Sequence, residues 1–77
     1  MDVFAKVKQI IINELSCDES KVTPDARMKE DLGADSIDAV QIVMSVEDEF
    51  KITVDDSQAE SMQTVGDIVK YIESILK

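Results

Sequence analysis

The sequence predicts an all-α fold: a small four-helix bundle, three main helices plus one short helix, with a long first loop. Three observations carry this expectation. Apolar residues recur at helical spacing over three separate stretches of the 77-residue chain. Each stretch opens on a residue able to cap a helix, Asp2, Asp35 or Ser36, and Thr64. The one strand-like run, Lys51-Ile52-Thr53-Val54, is short and has no partner strand. The length predicts a single domain over residues 1–77, small enough to bury only about 60% of its unfolded surface.

Val3 to Leu15 reads as the first helix. Phe4, Val7, Ile11 and Leu15 mark its apolar stripe, Val3 and Ile10 widen it, and Lys6, Lys8 and Asn13 face away. Ser16 to Ala34 keeps no period and contains the turn formers Thr23-Pro24 and Gly33. Val22, Met28 and Leu32 are the side chains expected to pin this long loop to the core. Cys17, just after the first helix, has no His or basic cluster beside it to activate a thiol, so it reads as incidental.

The second helix, Ser36 to Phe50, is apolar on two opposite sides. At about 100° per residue, Ala39, Ile42, Val43, Val46 and Phe50 form one stripe, and Ile37, Val40 and Met44 another. A surface helix of a small domain needs only one stripe. Its start is punctuated: Gly33 allows a sharp turn, Asp35 or Ser36 can cap, and Asp38 sits where a capping box would place an acid. After Phe50, residues 51–54 read as a linker with Val54 tucked in. A helical turn or two follows to Ser61, started by Asp55, Asp56 or Ser57, with Met62 facing the core. Thr64 caps the last helix, with Asp67 at its third position and Val65, Ile68, Val69, Ile72, Ile75 and Leu76 as its stripe.

Composition narrows the function. Between Glu30 and Glu60 there are ten acids and one base, Lys51, a window of net charge −9; the remainder holds seven of each and is neutral. Nucleic acid is thereby disfavoured as a partner, and a protein with a basic patch is the natural complement. The chain has no His and one Cys, so no disulfide framework, no Cys/His zinc site and no Ser-His or Cys-His nucleophile pair can form. The acidic stretch at Asp31–Asp35 lacks the alternating ligands of a calcium loop. Neither a catalytic residue nor a metal ligand is assigned. No apolar run is long enough to span a membrane, and no leader-like segment opens the sequence. The expectation is a cytoplasmic, non-enzymatic monomer with no membrane partner.

Leu32-Gly33-Ala34-Asp35-Ser36-Ile37-Asp38 resembles the Gly-x-Asp-Ser-Leu signature of acyl carrier proteins. The likeness extends over the chain: Glu30-Asp31 before it, Glu47-Asp48-Glu49-Phe50 ending the acidic helix, Ala59-Glu60 in the short helix, and Thr64-Val65 opening the last. Departures are Ile37 for the usual Leu, Gln41 where many members carry Glu, and a Val54–Ser61 region less acidic than the family's and without its proline. The resemblance implies that 1–77 is one acyl carrier domain, with Ser36 the covalent attachment point of 4′-phosphopantetheine taken from coenzyme A. Asp35 would be part of the motif that the phosphopantetheinyl transferase recognises. It also implies a docking face of Ile37, Asp38, Val40, Gln41, Met44, Glu47 and Asp48 for fatty acid synthesis enzymes with basic patches. Acyl cargo would be lined by Ala39, Val43, Val46, Ala59 and Met62. The expected role is carriage of acyl thioesters in dissociated (type II) fatty acid synthesis. The alternatives are a polyketide, aminoacyl or D-alanylation carrier, or, in another class, an acidic helical interaction module without cofactor.

Overall fold

The computed structural model describes residues 2–76; Met1 and Lys77, the ends of the expected 1–77 domain, lie outside them. The small four-helix bundle forms: α1 (Val3–Leu15), α2 (Ser36–Phe50), the short α3 (Asp56–Ser61) and α4 (Val65–Leu76). α1 packs against both α2 and α4. Its Val7 and Ile11 meet Ile42, Val65 and Ile72 in a fully buried centre that also takes Val22 from the loop. No described helix is both long and apolar enough to cross a membrane.

The caps read from the sequence are in place. Asp2 accepts the Ala5 N–H at 3.1 Å and starts α1. Thr64 accepts the Asp67 N–H at 3.1 Å, and Asp67 accepts the N–H groups of Gln63 and Thr64 at 3.1 and 3.2 Å. These bonds satisfy donors that a helix start otherwise leaves free. Lys8 differs from expectation. It is half-buried, its Nζ 3.4 Å from Glu19 and 5.9 Å from the Phe4 ring centre, because its stem covers apolar surface. Ile75 and Leu76 also differ. They continue the α4 stripe but are 41% and 47% exposed, since the last turn extends past the side chains covering the rest.

The long first loop is more ordered than its lack of period suggests. A 3₁₀ turn at Glu19–Lys21 follows α1. Val22 and Met28 are buried and Leu32 is half-buried on the core, joined by Ala26 and Ala34, which periodicity does not reveal. The stretch from Pro24 to Met28 then runs beside Gln63–Gly66. Met28 donates to the Gln63 carbonyl at 2.9 Å, Val65 to Ala26 at 3.0 Å, and Gly66 to Pro24 at 2.9 Å. Arg27 and Thr64 pair in an isolated antiparallel bridge. The approach is so close that a Cβ on Gly66 would lie 2.8 Å from the Pro24 carbonyl oxygen.

Gly66 therefore defines a prediction against helix propensity. Alanine at an ordinary helical position gains up to about 1 kcal/mol over glycine. Here the backbone must shift to admit the methyl group, and we expect Gly66→Ala to lose about 1–2 kcal/mol, as overpacking does. Urea unfolding measures this; a midpoint equal to or above that of the parent chain refutes it.

Candidate functional site

The loop delivers the start of α2 with little freedom. Arg27 donates its N–H to Asp31 at 2.8 Å, and its carbonyl accepts from Asp31 and Leu32 at 2.9 and 3.1 Å. The Arg27 guanidinium hydrogen-bonds Glu30; that bond, then the charges of Glu30 and Asp31, raise its already high pKa, so it is always charged. Ala34 donates to the Met28 carbonyl at 2.8 Å and is buried. Between half-buried Leu32 and buried Ala34, the chain turns at Gly33 with φ +72°, a left-handed conformation natural to glycine.

This geometry resolves which residue caps α2. Asp35 Oδ1 accepts the Asp38 N–H at 2.8 Å, and Asp38 Oδ2 reaches back to the Asp35 N–H at 3.4 Å, a complete capping box made of two aspartates. Ser36 is the first residue inside the helix. Its side chain is exposed, and among the described residues no hydrogen bond engages its hydroxyl. The Ser36 and Ile37 N–H groups belong to the first turn and have no acceptor within the helix. A nucleophilic oxygen is thus displayed beside two free donors at the positive end of the helix dipole, a setting that favours an attached anion.

The second apolar stripe of α2 faces outward next to this serine. Ile37 is 71% exposed, Val40 56% and Met44 54%, a contiguous row along the helix. Gln41 and Asp48 are exposed beside it. The other carboxylates at its rim hold backbone: Asp35 and Asp38 in the box, and half-buried Glu47, whose Oε2 accepts the Val54 N–H at 2.8 Å. That last contact spans seven residues and left no sign in the sequence.

On the opposite side of α2 lies an apolar cavity of about 10 Å³, bounded by Ile42, Val43 and Val46 of α2, Val54, Met62, and Ile68, Tyr71 and Ile72 of α4. It has room for about one water. The structure brings Val43, Val46 and Met62 around it. Ala39 and Ala59 are half-buried but do not line it, because the space opens between α2 and α4 and not between α2 and α3. Ile42, Val54, Ile68, Tyr71 and Ile72 are lining residues that the sequence reading did not assign to it. Cys17 packs half-buried against the core, away from all of this lining. Among the described residues no three His, Cys, Asp or Glu side chains converge to hold a metal.

Comparison with known proteins gives matches of two kinds, to a family model and to solved structures. Residues 5–72 match the family model described as a phosphopantetheine attachment site. A solved structure of the acyl carrier protein from Enterococcus faecalis is similar at 41% identity and a TM-score of 0.80, the alignment covering 95% of this chain and 92% of that one.

The division of labour between Asp35 and Ser36 is testable by stability alone. Asp35→Ala removes the cap and should cost about 1 kcal/mol. Ser36→Ala, deleting a hydroxyl that holds nothing, should stay within about 0.5 kcal/mol of the parent. Thermal melts of the two variants check this; equal losses would mean that Ser36 contributes to the cap.

Proposed function

The chain belongs to the phosphopantetheine attachment-site family, whose members bear that arm covalently and are carriers and not catalysts, and from this premise we propose that Ser36 is the attachment point and that residues 1–77 form one acyl carrier domain of dissociated (type II) fatty acid synthesis in the cytoplasm. The observation that carries the assignment is the free, exposed Ser36 hydroxyl behind a cap supplied by Asp35. The likeness to the Enterococcus protein supports an acyl cargo. Carriers of polyketide, aminoacyl or D-alanyl groups share the same domain plan.

The residues fit the group. A phosphodiester on Ser36 Oγ would meet the N–H groups of the first turn. The arm ends in a thiol, which holds an acyl group as a thioester, a better acyl donor than a serine ester. This chain displays the serine, keeps the attachment clear of the core, and offers a surface for partners. Ile37, Val40 and Met44 supply that surface, since large apolar side chains in a row mark a contact site. Asp35, Asp38, Glu47 and Asp48 rim it together with the neutral Gln41, and the charge of the four carboxylates sets orientation and on-rate toward basic patches on the transferase and the synthesis enzymes. The cargo chain enters beside Val43, Val46 and Met62, with Ala39 and Ala59 reached as the space widens. Each methylene removed from water contributes about 0.8 kcal/mol toward that displacement.

Incubation with coenzyme A, magnesium and a phosphopantetheinyl transferase should add one arm per chain, read by intact mass. Ser36→Ala should take none; an adduct that persists there, or maps to Cys17 or Ser57, sinks the assignment.

The same reaction reads the docking face. Met44→Ala and Asp48→Lys, which leave the cap and the core intact, should each lower transferase kcat/KM by about tenfold, the order expected of a central apolar contact or a reversed charge. Glu73→Lys on α4 should not. Equal effects of all three would remove the docking face.

For the cargo, chains loaded with acetyl through decanoyl groups should melt at rising temperatures that level off once the space is filled. Coincident melting curves would place the acyl chain outside.

A further inference from the structure

The cavity is too small for any acyl chain, so a wall must yield, and the three walls are not equally anchored. α2 is fastened by its capping box and by Ile42, Val46 and Phe50 in the core, and α4 by the Thr64–Asp67 box and by Val65, Ile68 and Ile72. The third wall is the strand of chain around Val54, leading into α3. α3 has no side-chain cap at Asp55; its Ala59 is half-buried, and Ser57, Gln58, Glu60 and Ser61 are exposed. Val54 is buried and Ile52 and Met62 pack on the core, and among the described residues the one side chain that hydrogen-bonds the backbone of this wall is that of Glu47. The Glu47 carbonyl accepts the N–H groups of Lys51 and Ile52, the latter at 3.1 Å, and its carboxylate accepts the Val54 N–H at 2.8 Å. The first two bonds end α2 and are made by backbone, so any residue at this position keeps them. The third depends on the side chain.

We propose that the Glu47 carboxylate is the latch of the cavity: its bond to the Val54 N–H holds the movable wall shut, and its release is the step that admits or frees the acyl chain. This rests on the reading that the cargo enters that cavity. Glu47 is a positioning residue in this role, acting on the cargo through Val54. A charge-assisted bond to a partly buried amide is strong enough to control such a wall and weak enough to open thermally. Among the described residues no other side chain accepts the Val54 N–H.

The test compares the full chain with Glu47→Met, which keeps the length of the side chain but accepts no hydrogen bond, and with Glu47→Gln, whose amide oxygen still can. Without cargo, the Val54 amide should exchange with solvent about tenfold or more faster in Glu47→Met, and within about threefold of the parent in Glu47→Gln. Unchanged exchange in Glu47→Met overturns the latch. With the arm loaded, hydroxylamine should cleave an octanoyl thioester more slowly than an acetyl one in the parent and in Glu47→Gln, and Glu47→Met should lose most of that difference. Equal cleavage of the two thioesters in the parent overturns the interior cargo site and this role with it. Protection that survives intact in Glu47→Met overturns the latch alone.

Discussion

The contact on which the rest depends is the one between Pro24–Met28 and Gln63–Gly66. Three backbone hydrogen bonds join the long loop to the start of α4, and Gly66 lets them form by leaving the Pro24 oxygen unobstructed. One end of this junction leads through Met28, Ala34 and Gly33 into α2. The other leads back through Met62 into α3. The place where the serine is displayed and the segment that bounds the cavity are therefore both referred to the same point.

At the start of α2 the structure separates two tasks that one serine could have performed. Serine is a good N-cap, and a serine used as a cap would have its oxygen turned to the backbone. Asp35 takes the cap and Asp38 returns the bond, so Ser36 stands one position later with its hydroxyl free. The same pair of acids begins the acidic rim of the exposed stripe. Two of its carboxylates hold the helix start, Glu47 bonds the Val54 segment, and Asp48 and the neutral Gln41 are exposed. Net charge of −9 over that window describes an attractive field, but the individual carboxylates are not interchangeable within it.

The core is not built alike on every side. Its fully buried centre is Ile and Val, contributed mainly by the three long helices. The one cavity edge made by irregular chain carries Val54 and Met62, and the helix between them keeps Ser57, Gln58, Glu60 and Ser61 in solvent. That edge is held to the core by Ile52, Val54 and Met62, while the exposed side chains of α3 add little burial.

The sequence by itself determined the helices and most of their inward faces, Lys8, Ile75 and Leu76 excepted. Val3–Leu15 and Ser36–Phe50 have the limits that period and caps predict, because apolar spacing and capping are local properties that a few neighbouring residues specify. The double stripe of α2 and the serine beside it were equally legible, since both lie within one helix. What only the tertiary structure decided lies where the chain leaves one helix and meets another part of the fold. Whether Asp35 or Ser36 caps depends on how Gly33 and buried Ala34 aim the loop. The choice of Glu47 as the acceptor for Val54 depends on where α2 ends and how the chain folds back. That the cavity lies against Tyr71 and Ile72 of α4, and not against Ala59, depends on the loop junction that sets α3 aside. Gly66 was the one visible hint of that junction, a glycine in the first turn of a strong helix. Its meaning rests on a carbonyl oxygen forty-two residues away, and no local pattern encodes such a distance.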